Sequence, residues 1–422
     1  MNSTLIVLTQ NFPYLPGEHF FETELPYLQK EFHKIIISPV AYSPENEKRE
    51  VPDNVIINPI ERNMAPFKSL TYMRRLTLLT DPQALKWFAE EFGTARKHGM
   101  SGVLKLVNWL SLAVNIRKQL EQNYVKNNTE LSECVFYSYW LSPAAVALGM
   151  LKEKYGEAIK SVARAHGGDL YAYRHTPPFL PLQGKTITNL DKLYTISADG
   201  KNYLQNKYPD LIPAKLSISR LGTVGVEQTN PQNRDKQMHI VTCSYMVEVK
   251  RLDLLIEALT RTKRRVKWTH IGNGPLWDKL NELAEKLPSN VQWEFLGYLD
   301  GTQIRSYYQQ TPVDLFMNVS ASEGVPVSIM EAFSCGIPVI ATDVGGTSEL
   351  VNTRNGKLLD KDTSPEKIAD AVEEFDAMTD QEYDSASKHA YEIWNEYFNA
   401  EKNYDEFTKQ LVLLGGNRQH EG

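Results

Sequence analysis

Two glutamates eight residues apart, Glu323 and Glu331, stand in the stretch SASEGVPVSIMEAFSCGIPVIATDVGGTS, Ser320 to Ser348. Just after the first, Gly324 lets a backbone or ligand approach closely, and Pro326 suits the first position of a helix. The apolar run Val327–Ser334 predicts a short helix, closed by Cys335-Gly336 and stopped by Pro338. A helix start offers unpaired N–H groups and a positive dipole end, so it attracts an anion. Glu323 in the loop and Glu331 about a turn and a half along the helix would flank that anion. Taken alone, the stretch fits equally well an ordinary strand–helix–strand unit with a solvated Glu323.

Other residues of the same kind are spread along the chain. Lys250-Arg251 follow a strand-like run, His239–Ser244, and precede the apolar helix Leu254–Leu259. A lysine at such a turn suits a diphosphate, and a nearby carboxylate suits ribose hydroxyls. Ser161–Ala165 reads as a strand that delivers His166-Gly167-Gly168-Asp169 at its carboxyl end, where α/β sheets place function. Gly17 lies in a Pro/Gly loop after the first strand; Gly272-Asn273-Gly274 and Gly297-Tyr298 close two later ones. The phosphate loop GxxxxGK[ST] is absent, which argues against ATPase chemistry, and no GxGxxG follows the first strand, which argues against a dehydrogenase. Asp360-Lys361-Asp362 lies in a charged loop and reads as solvated rather than metal-binding.

The elements that must position these groups are short apolar strands alternating with helices. Leu5–Leu8, Ile35–Val40, Val135–Ser138, Ser161–Ala165, Leu193–Ser197 and Ser217–Leu221 form one series. His239–Ser244, Val266–Ile271, Val291–Leu296, Asp314–Asn318 and Val339–Ala341 form a second. This pattern predicts parallel α/β sheets. A length of 422 residues exceeds one ordinary core, so two domains are expected. Their boundaries read as 1–222, a polar linker 223–237, and 238–389, with an aromatic-striped helix from about 390 to 422.

Residues 61–126 are unusually apolar, with Met64, Phe67, Leu70, Tyr72, Met73 and Leu76 interleaved with Arg74 and Arg75, and then Val103–Ile116. These helices read first as cover for the sheet, and second as a surface for a bilayer or a lipid-linked partner. A net charge of −6 gives no reason to expect nucleic acid. Three separated cysteines, Cys134, Cys243 and Cys335, read as buried thiols. No apolar run of signal-peptide or membrane-spanning length is evident, so the expected place is the cytoplasm, with peripheral contact at the inner face of the membrane.

SEGVPVSIMEAFSCGIPVIATDVGGTSELV resembles the signature of the family-4 retaining glycosyltransferases (group 1, GT-B fold), whose Glu-x7-Glu pair falls on Glu323 and Glu331. VTCSYMVEVKRLDLLIEAL, HIGNGPLWDKL, WEFLGYL, RLGTV and RAHGGDLY match family segments in the same order, and FPYLPGEHFFETEL looks like the version in polysaccharide-assembly members. The resemblance implies two Rossmann-like domains facing each other across a cleft, and transfer of a sugar from a nucleotide-diphosphate donor with retention and without a metal or other cofactor. It implies a glycan or lipid-linked saccharide acceptor in bacterial cell-surface polysaccharide assembly. His166, Lys250 and Glu323 take the catalytic positions. Gly17, Tyr245, Arg251, Gly272, Asn273, Gly297, Tyr298, Gly324, Val325, Pro326 and Glu331 take the donor-binding ones. The family carries arginine five residues before the lysine; this chain has Tyr245, which donates one hydrogen bond. Arg251 is the neighbouring cation that could compensate. A nucleotide-sugar 2-epimerase and a non-catalytic glycosyltransferase-like subunit are the alternatives that keep this architecture.

Overall fold

Runs of aliphatic residues bounded by turn formers become the strands of two sheets in the computed structural model, which describes residues 3–15, 17–61, 78, 80–126, 131–226, 229–231 and 237–416. The first sheet holds β1 (Thr4–Thr9), β2 (Lys34–Pro39), β3 (Val55–Ile57), β4 (Cys134–Ser138), β5 (Lys160–Ala165), β6 (Lys192–Thr195) and β7 (Leu216–Ile218). They pair in parallel in the order β3-β2-β1-β4-β5-β6-β7. The second holds β8 (Met238–Cys243), β9 (Val266–Ile271), β10 (Val291–Gly297), β11 (Leu315–Asn318), β12 (Val339–Thr342) and β13 (Gly356–Leu359). Its order is β10-β9-β8-β11-β12-β13, again parallel. Leu5, Ile6, Val7, Ile35 and Ile37 are wholly buried, as are Ile240 and Val241, because parallel sheets are covered on both faces.

The order reverses at β1/β4 in one sheet and at β8/β11 in the other. At such a switch point the following connections part to opposite faces and leave a crevice at the strands' carboxyl ends. The helices of the first series are α1 (His19–Glu31), α2 (Pro82–Arg96), α3 (Gly99–Leu120), α4 (Pro143–Tyr155), α5 (Gly167–Leu170), α6 (Gln183–Asn189) and α7 (Ala198–Lys207). Those of the second are α8 (Leu252–Leu259), α9 (Trp277–Ala284), α10 (Gly301–Gln310), α11 (Val327–Ser334), α12 (Pro365–Asp376), α13 (Asp380–Ile393) and α14 (Ala400–Leu414). Asp81, Ser142 and Ser364 cap α2, α4 and α12 by accepting amides of their first turns.

The chain divides into two compact units, one of residues up to Ser219 with those from Tyr404 onward, the other Arg220–Asn403. The division differs from the expected 222, 223–237 and 390 for identifiable reasons. The described part of 223–237 is docked on the second unit: Trp394 Nε1 donates to Thr223 Oγ1 at 2.9 Å, and Asn230 N donates to Cys335 O at 2.8 Å. A Cβ at Gly225 would meet the Trp394 ring at 2.6 Å, so that glycine is where the indole rests. The aromatic stripe is likewise divided. Trp394 and Phe398 are buried in the second unit, the backbone turns extended at Asn399, and Phe407 and Leu411 join the core of the first. There Phe407 stacks edge-on with Tyr137 and Tyr194, at 5.3 and 5.0 Å between centroids.

Two strands escaped the sequence reading. β3 is Val-Ile-Ile, only three residues with Ile56 exposed, and β13 begins Gly-Lys with two leucines after it, so neither apolar run is long enough to betray a strand. Ser197 is the N-cap of α7 rather than a strand residue, and β7 ends at Ile218. Met64, Phe67, Leu70, Tyr72, Met73, Arg74, Arg75 and Leu76 lie outside the described residues. The apolar stretch Val103–Ile116 is the middle of α3, whose Leu106, Leu110, Ala113 and Leu120 are wholly buried in the first unit's core. By length and composition alone the helical stretch Gly99–Val125 would reach across a membrane, yet that buried face is packed as core.

Candidate functional site

β8 and β11 are paired neighbours at the switch point of the second sheet. The chain leaving β8 reaches Lys250 in a short turn, Glu248–Lys250, before α8. The chain leaving β11 runs through Ser320–Pro326 into α11. Lys250 Nζ from the first loop meets Glu323 Oε1 from the second at 2.6 Å. Asn318, the last residue of β11, donates its side-chain amide to the same oxygen at 3.2 Å and accepts the Ser320 N–H at 3.1 Å. The loops are sewn together by Ala321 N to Val249 O at 2.8 Å. Pro326 caps α11 without a side-chain hydrogen bond, so the first-turn amides of Val327 and Ser328 have no helical acceptor. A third loop completes the cradle. Gly346 N donates to Gly324 O at 2.6 Å, and Gly345, at φ 57°, lies so close that a Cβ would sit 2.1 Å from Glu323 O. Glycine at 345 is therefore a steric requirement.

Glu331 projects from α11 and is half-buried. Its carboxylate has no hydrogen-bond partner among the described residues, and burial pushes the carboxyl group up to about 7 despite the attraction of Arg305 on α10. Cys134 and Cys335 are buried as expected, but Cys243, at the end of β8, is only half-buried because its strand ends at the crevice; desolvation pushes its thiol well up, and the charges of Glu331 and Lys250 also reach it. Lys250, Glu323 and Glu331 thus converge on the carboxyl ends of β8 and β11. The arrangement offers a cation, helix amides for an oxyanion, and two carboxylates for neutral hydroxyls.

The remaining predicted donor residues of the second unit fall into four groups. Gly324, Val325 and Pro326 form the loop that leads into α11. Gly272 and Gly297 make the rim, with Gly272 N to Gly297 O at 2.7 Å, and Asn273 O accepting Met246 N at 2.7 Å. Tyr298 and Tyr245 are mostly exposed, at 60% and 59%. Arg251 is placed differently from its expected role as a compensating cation. It adopts φ 49° at the start of α8, and its guanidinium donates to Val319 O at 2.6 Å, Ser320 O at 3.2 Å and Lys361 O at 2.7 Å. It braces the loop that carries Glu323.

Three contributors went unnoticed in the sequence. Asn318 and Arg305 have no motif of their own. His270, in β9, is a buried imidazole pushed down to about 4 by burial, hence neutral at neutral pH. Its Nε2–H donates to Ser244 O at 3.1 Å and Nδ1 accepts from Thr242 Oγ1 at 2.8 Å, which fixes the start of the Lys250 loop. Asp360 and Asp362 are exposed, and among the described residues no three His, Cys, Asp or Glu side chains converge as metal ligands would.

In the first unit His166 follows β5, as the sequence predicts. It is buried to 4% exposure, and neither ring nitrogen has a hydrogen-bond partner. Asp169 Oδ1 accepts the His166 backbone N–H at 2.6 Å, and Trp140 packs against the ring with centroids 4.3 Å apart. A buried polar ring with two unfilled nitrogens is costly unless something else fills them. Gly17 sits in the β1–α1 loop at φ 147°. The organiser of that loop is Glu18, whose carboxylate accepts the N–H groups of Gln10, Asn11 (2.7 Å) and Phe12 (2.5 Å) and the Trp140 Nε1–H (2.8 Å).

Comparison with known proteins follows the same outline. Residues 227–392 match the family described as glycosyl transferases group 1. The chain is 25% identical over 217 residues to a UDP-N-acetylglucosamine–peptide N-acetylglucosaminyltransferase GtfA subunit of Streptococcus agalactiae, a match covering 49% of this chain and 42% of that one. It is 24% identical over 292 residues to WcaL of Salmonella typhimurium, a glycosyltransferase named for colanic acid biosynthesis, covering 66% and 70%. The chain thus spans less than half of the first relative's length. Among solved structures, Anabaena HepE in complex with UDP and glucose superposes with a TM-score of 0.64 at 15% identity, over 97% of this chain and 99% of that one. That likeness shows the fold, two Rossmann-like domains of the GT-B class.

Proposed function

We propose, from the match of residues 227–392 to the group 1 glycosyltransferases, that this chain transfers a sugar from a nucleotide-diphosphate donor to a saccharide acceptor during assembly of a cell-surface polysaccharide. The observation that carries the reading is the Lys250–Glu323 pair at 2.6 Å against the open start of α11, with Glu331 on the same helix, its carboxylate without a hydrogen-bond partner among the described residues. Lys250 and the amides of Val327 and Ser328 receive the diphosphate. Glu323, released from Lys250, accepts donor-sugar hydroxyls, and Glu331 accepts the ribose hydroxyls.

As the bond from the anomeric carbon to the diphosphate oxygen breaks, the new bond forms to an acceptor hydroxyl, whose proton passes to the departing diphosphate. The ammonium and the amides stabilise charge where it grows. This is the role a divalent ion fills in metal-dependent transfer, so a metal-independent reaction suits these residues. Retention of the anomeric configuration follows from the Glu-x7-Glu resemblance. UDP is the first donor base to test, since HepE is named in complex with UDP, and WcaL's name supports a polysaccharide product. A cytoplasmic site of action fits a nucleotide-sugar donor. His166 of the first unit, with its unfilled nitrogens, is assigned to the transferred sugar.

The test is a thermal-shift screen with nucleoside diphosphates and then their sugars, repeated in Lys250→Ala and Glu323→Gln. Stabilisation by one nucleotide and its sugar is expected, with turnover reduced roughly 100- to 1,000-fold in both variants. Near-normal turnover in both sinks the assignment. A sugar nucleotide that is converted without any acceptor would instead identify a 2-epimerase.

A further inference from the structure

The loops that leave β1, β4 and β5, three neighbouring strands of the first sheet, are held to one another by two carboxylates. Asp169 accepts the amides of His166 and Leu141, each at 2.6 Å. Glu18 gathers more donors. Gln10, Asn11 and Phe12, in succession after β1, turn their N–H groups onto its carboxylate, and Trp140 adds its indole N–H at 2.8 Å. Successive amides at the carboxyl end of a switch-point strand make a nest suited to an anion. Here the chain's own carboxylate fills it. Oε1 takes the donors of Gln10 and Trp140, and Oε2 those of Asn11 and Phe12. A carboxylate accepts at both oxygens, whereas a glutamine would set N–H against N–H at one of the two positions. Glu18 is only 7% exposed and holds a left-handed backbone, φ 47°, which a residue with a Cβ adopts at a steric cost. Four hydrogen bonds to a charged acceptor offset that cost.

Through Trp140 the nest reaches the predicted catalytic histidine. The indole lies against the His166 ring at 4.3 Å between centroids, and Tyr139 closes a second side at 4.9 Å. Neither ring nitrogen of His166 has a hydrogen bond among the described residues to fix the imidazole, so its orientation depends on what packs against it.

We propose that Glu18 is a positioning residue for His166: by occupying the nest it fixes the Trp140 indole, and the indole sets the plane in which the imidazole meets its ligand. The inference rests on the assignment of His166 to the transferred sugar and adds to it a residue that acts through another ring. It also gives the first unit a concealed anion site, open only when the Glu18 side chain is removed. Gln10 and Trp140, two of the four donors, line a cavity of about 480 Å³, which gives a small anion a way in.

Glu18→Gly is the deletion, since glycine accepts φ 47° without strain; Glu18→Gln is the neutral isostere. With the nucleotide sugar that the screen above selects, turnover in both should fall about 10- to 100-fold, the effect of a misplaced catalytic group. The donor KM should move less than about threefold, because the loss is in the transition state. Sodium formate should restore turnover of Glu18→Gly several-fold and saturably, and raise its melting temperature. Formamide, of the same size but carrying donors, should do neither, and Glu18→Gln, whose nest is full, should not respond to formate. The indole N–H resonance of Trp140, identified by its loss in Trp140→Phe, should shift in Glu18→Gly and return with formate. In the Trp140→Phe background, Glu18→Gly should lower turnover little further, because the two side chains act as one unit.

Turnover of Glu18→Gly within twofold of the unaltered enzyme overturns the proposal. So do losses that simply multiply in the double variant, which would make Glu18 a brace of its own loop alone. Formate that restores the melting temperature and the indole resonance without turnover likewise overturns the positioning role. The melting and resonance measurements need no substrate, so they read the nest even if the unaltered protein turns over no nucleotide sugar; that last result overturns the glycosyltransferase reading instead.

Discussion

Burial pushes the Glu331 carboxyl group up to about 7, and its carboxylate has no hydrogen-bond partner among the described residues, so its charge responds to pH where most carboxylates do not. Burial raises the folded-state value above the unfolded 4.5, which means the ionised form is disfavoured on folding. Stability linked to this group is therefore present at low pH and is lost as pH rises from about 4.5 through about 7. Glu331→Gln should stabilise the ligand-free protein at pH 8, by about 1–3 kcal/mol, and change little at pH 4; thermal melts at the two values check this. Donor binding runs the opposite way, because a carboxylate accepts ribose hydroxyls best when ionised. Affinity for a nucleotide sugar, whose diphosphate diester does not titrate near neutrality, should fall about tenfold from pH 8 to pH 6. A flat profile in the unaltered protein rules out Glu331 as the ribose acceptor. Tyr245 bears on the same site. Exposed and carrying one hydroxyl donor, it gives the proposed diphosphate site no cation where the resemblance implies an arginine, and Arg251 is turned to carbonyls. Tyr245→Arg should tighten donor binding several-fold without disturbing the fold, measured by calorimetry; unchanged affinity would mean that the amides already suffice.

At the level of elements, the site is three loops locked against one another at the ends of β8, β11 and β12. Arg251 ties the β8 loop to the β11 loop, and Gly345 lets the β12 loop lie on Glu323 and Gly324. Gly345→Ala places a methyl group within 2.1 Å of the Glu323 carbonyl and a side chain at φ 57°, so the Glu323 loop must move. The expected result is a loss of donor affinity and turnover of tenfold or more with a modest fall in melting temperature, since the core of the unit is untouched. Normal kinetics in this variant would show that the loop has room that its contacts do not suggest.

The two units have separate cores, so unfolding of the whole molecule need not be a single transition. Ligands act on the unit that holds them. A nucleoside diphosphate at 100 times its dissociation constant should raise one calorimetric transition by about 5–10 °C and leave the other in place. Two transitions shifted equally would mean that the donor is held by both units. Removing residues from Tyr404 onward takes Phe407 and Leu411 out of the first unit's core and should selectively lower the transition that the nucleotide does not shift.

Read without coordinates, the order of apolar runs determined two parallel α/β units, since a strand buried on both faces needs a continuous aliphatic run. The glutamate pair, the lysine turn and the histidine loop were legible because helix starts, glycine turns and strand ends carry local chemical signatures. Other features depend on contacts between residues far apart in sequence. Tertiary structure decided that Lys250 and Glu323 meet at 2.6 Å, that Arg251 turns to carbonyls, and that Glu331 stands at a depth that shifts its acidity. It decided where the C-terminal aromatic stripe divides, because that turns on which core each ring can enter. Local spacing specifies elements and their chemistry; partners, burial and the charge state that follows from burial belong to the folded chain.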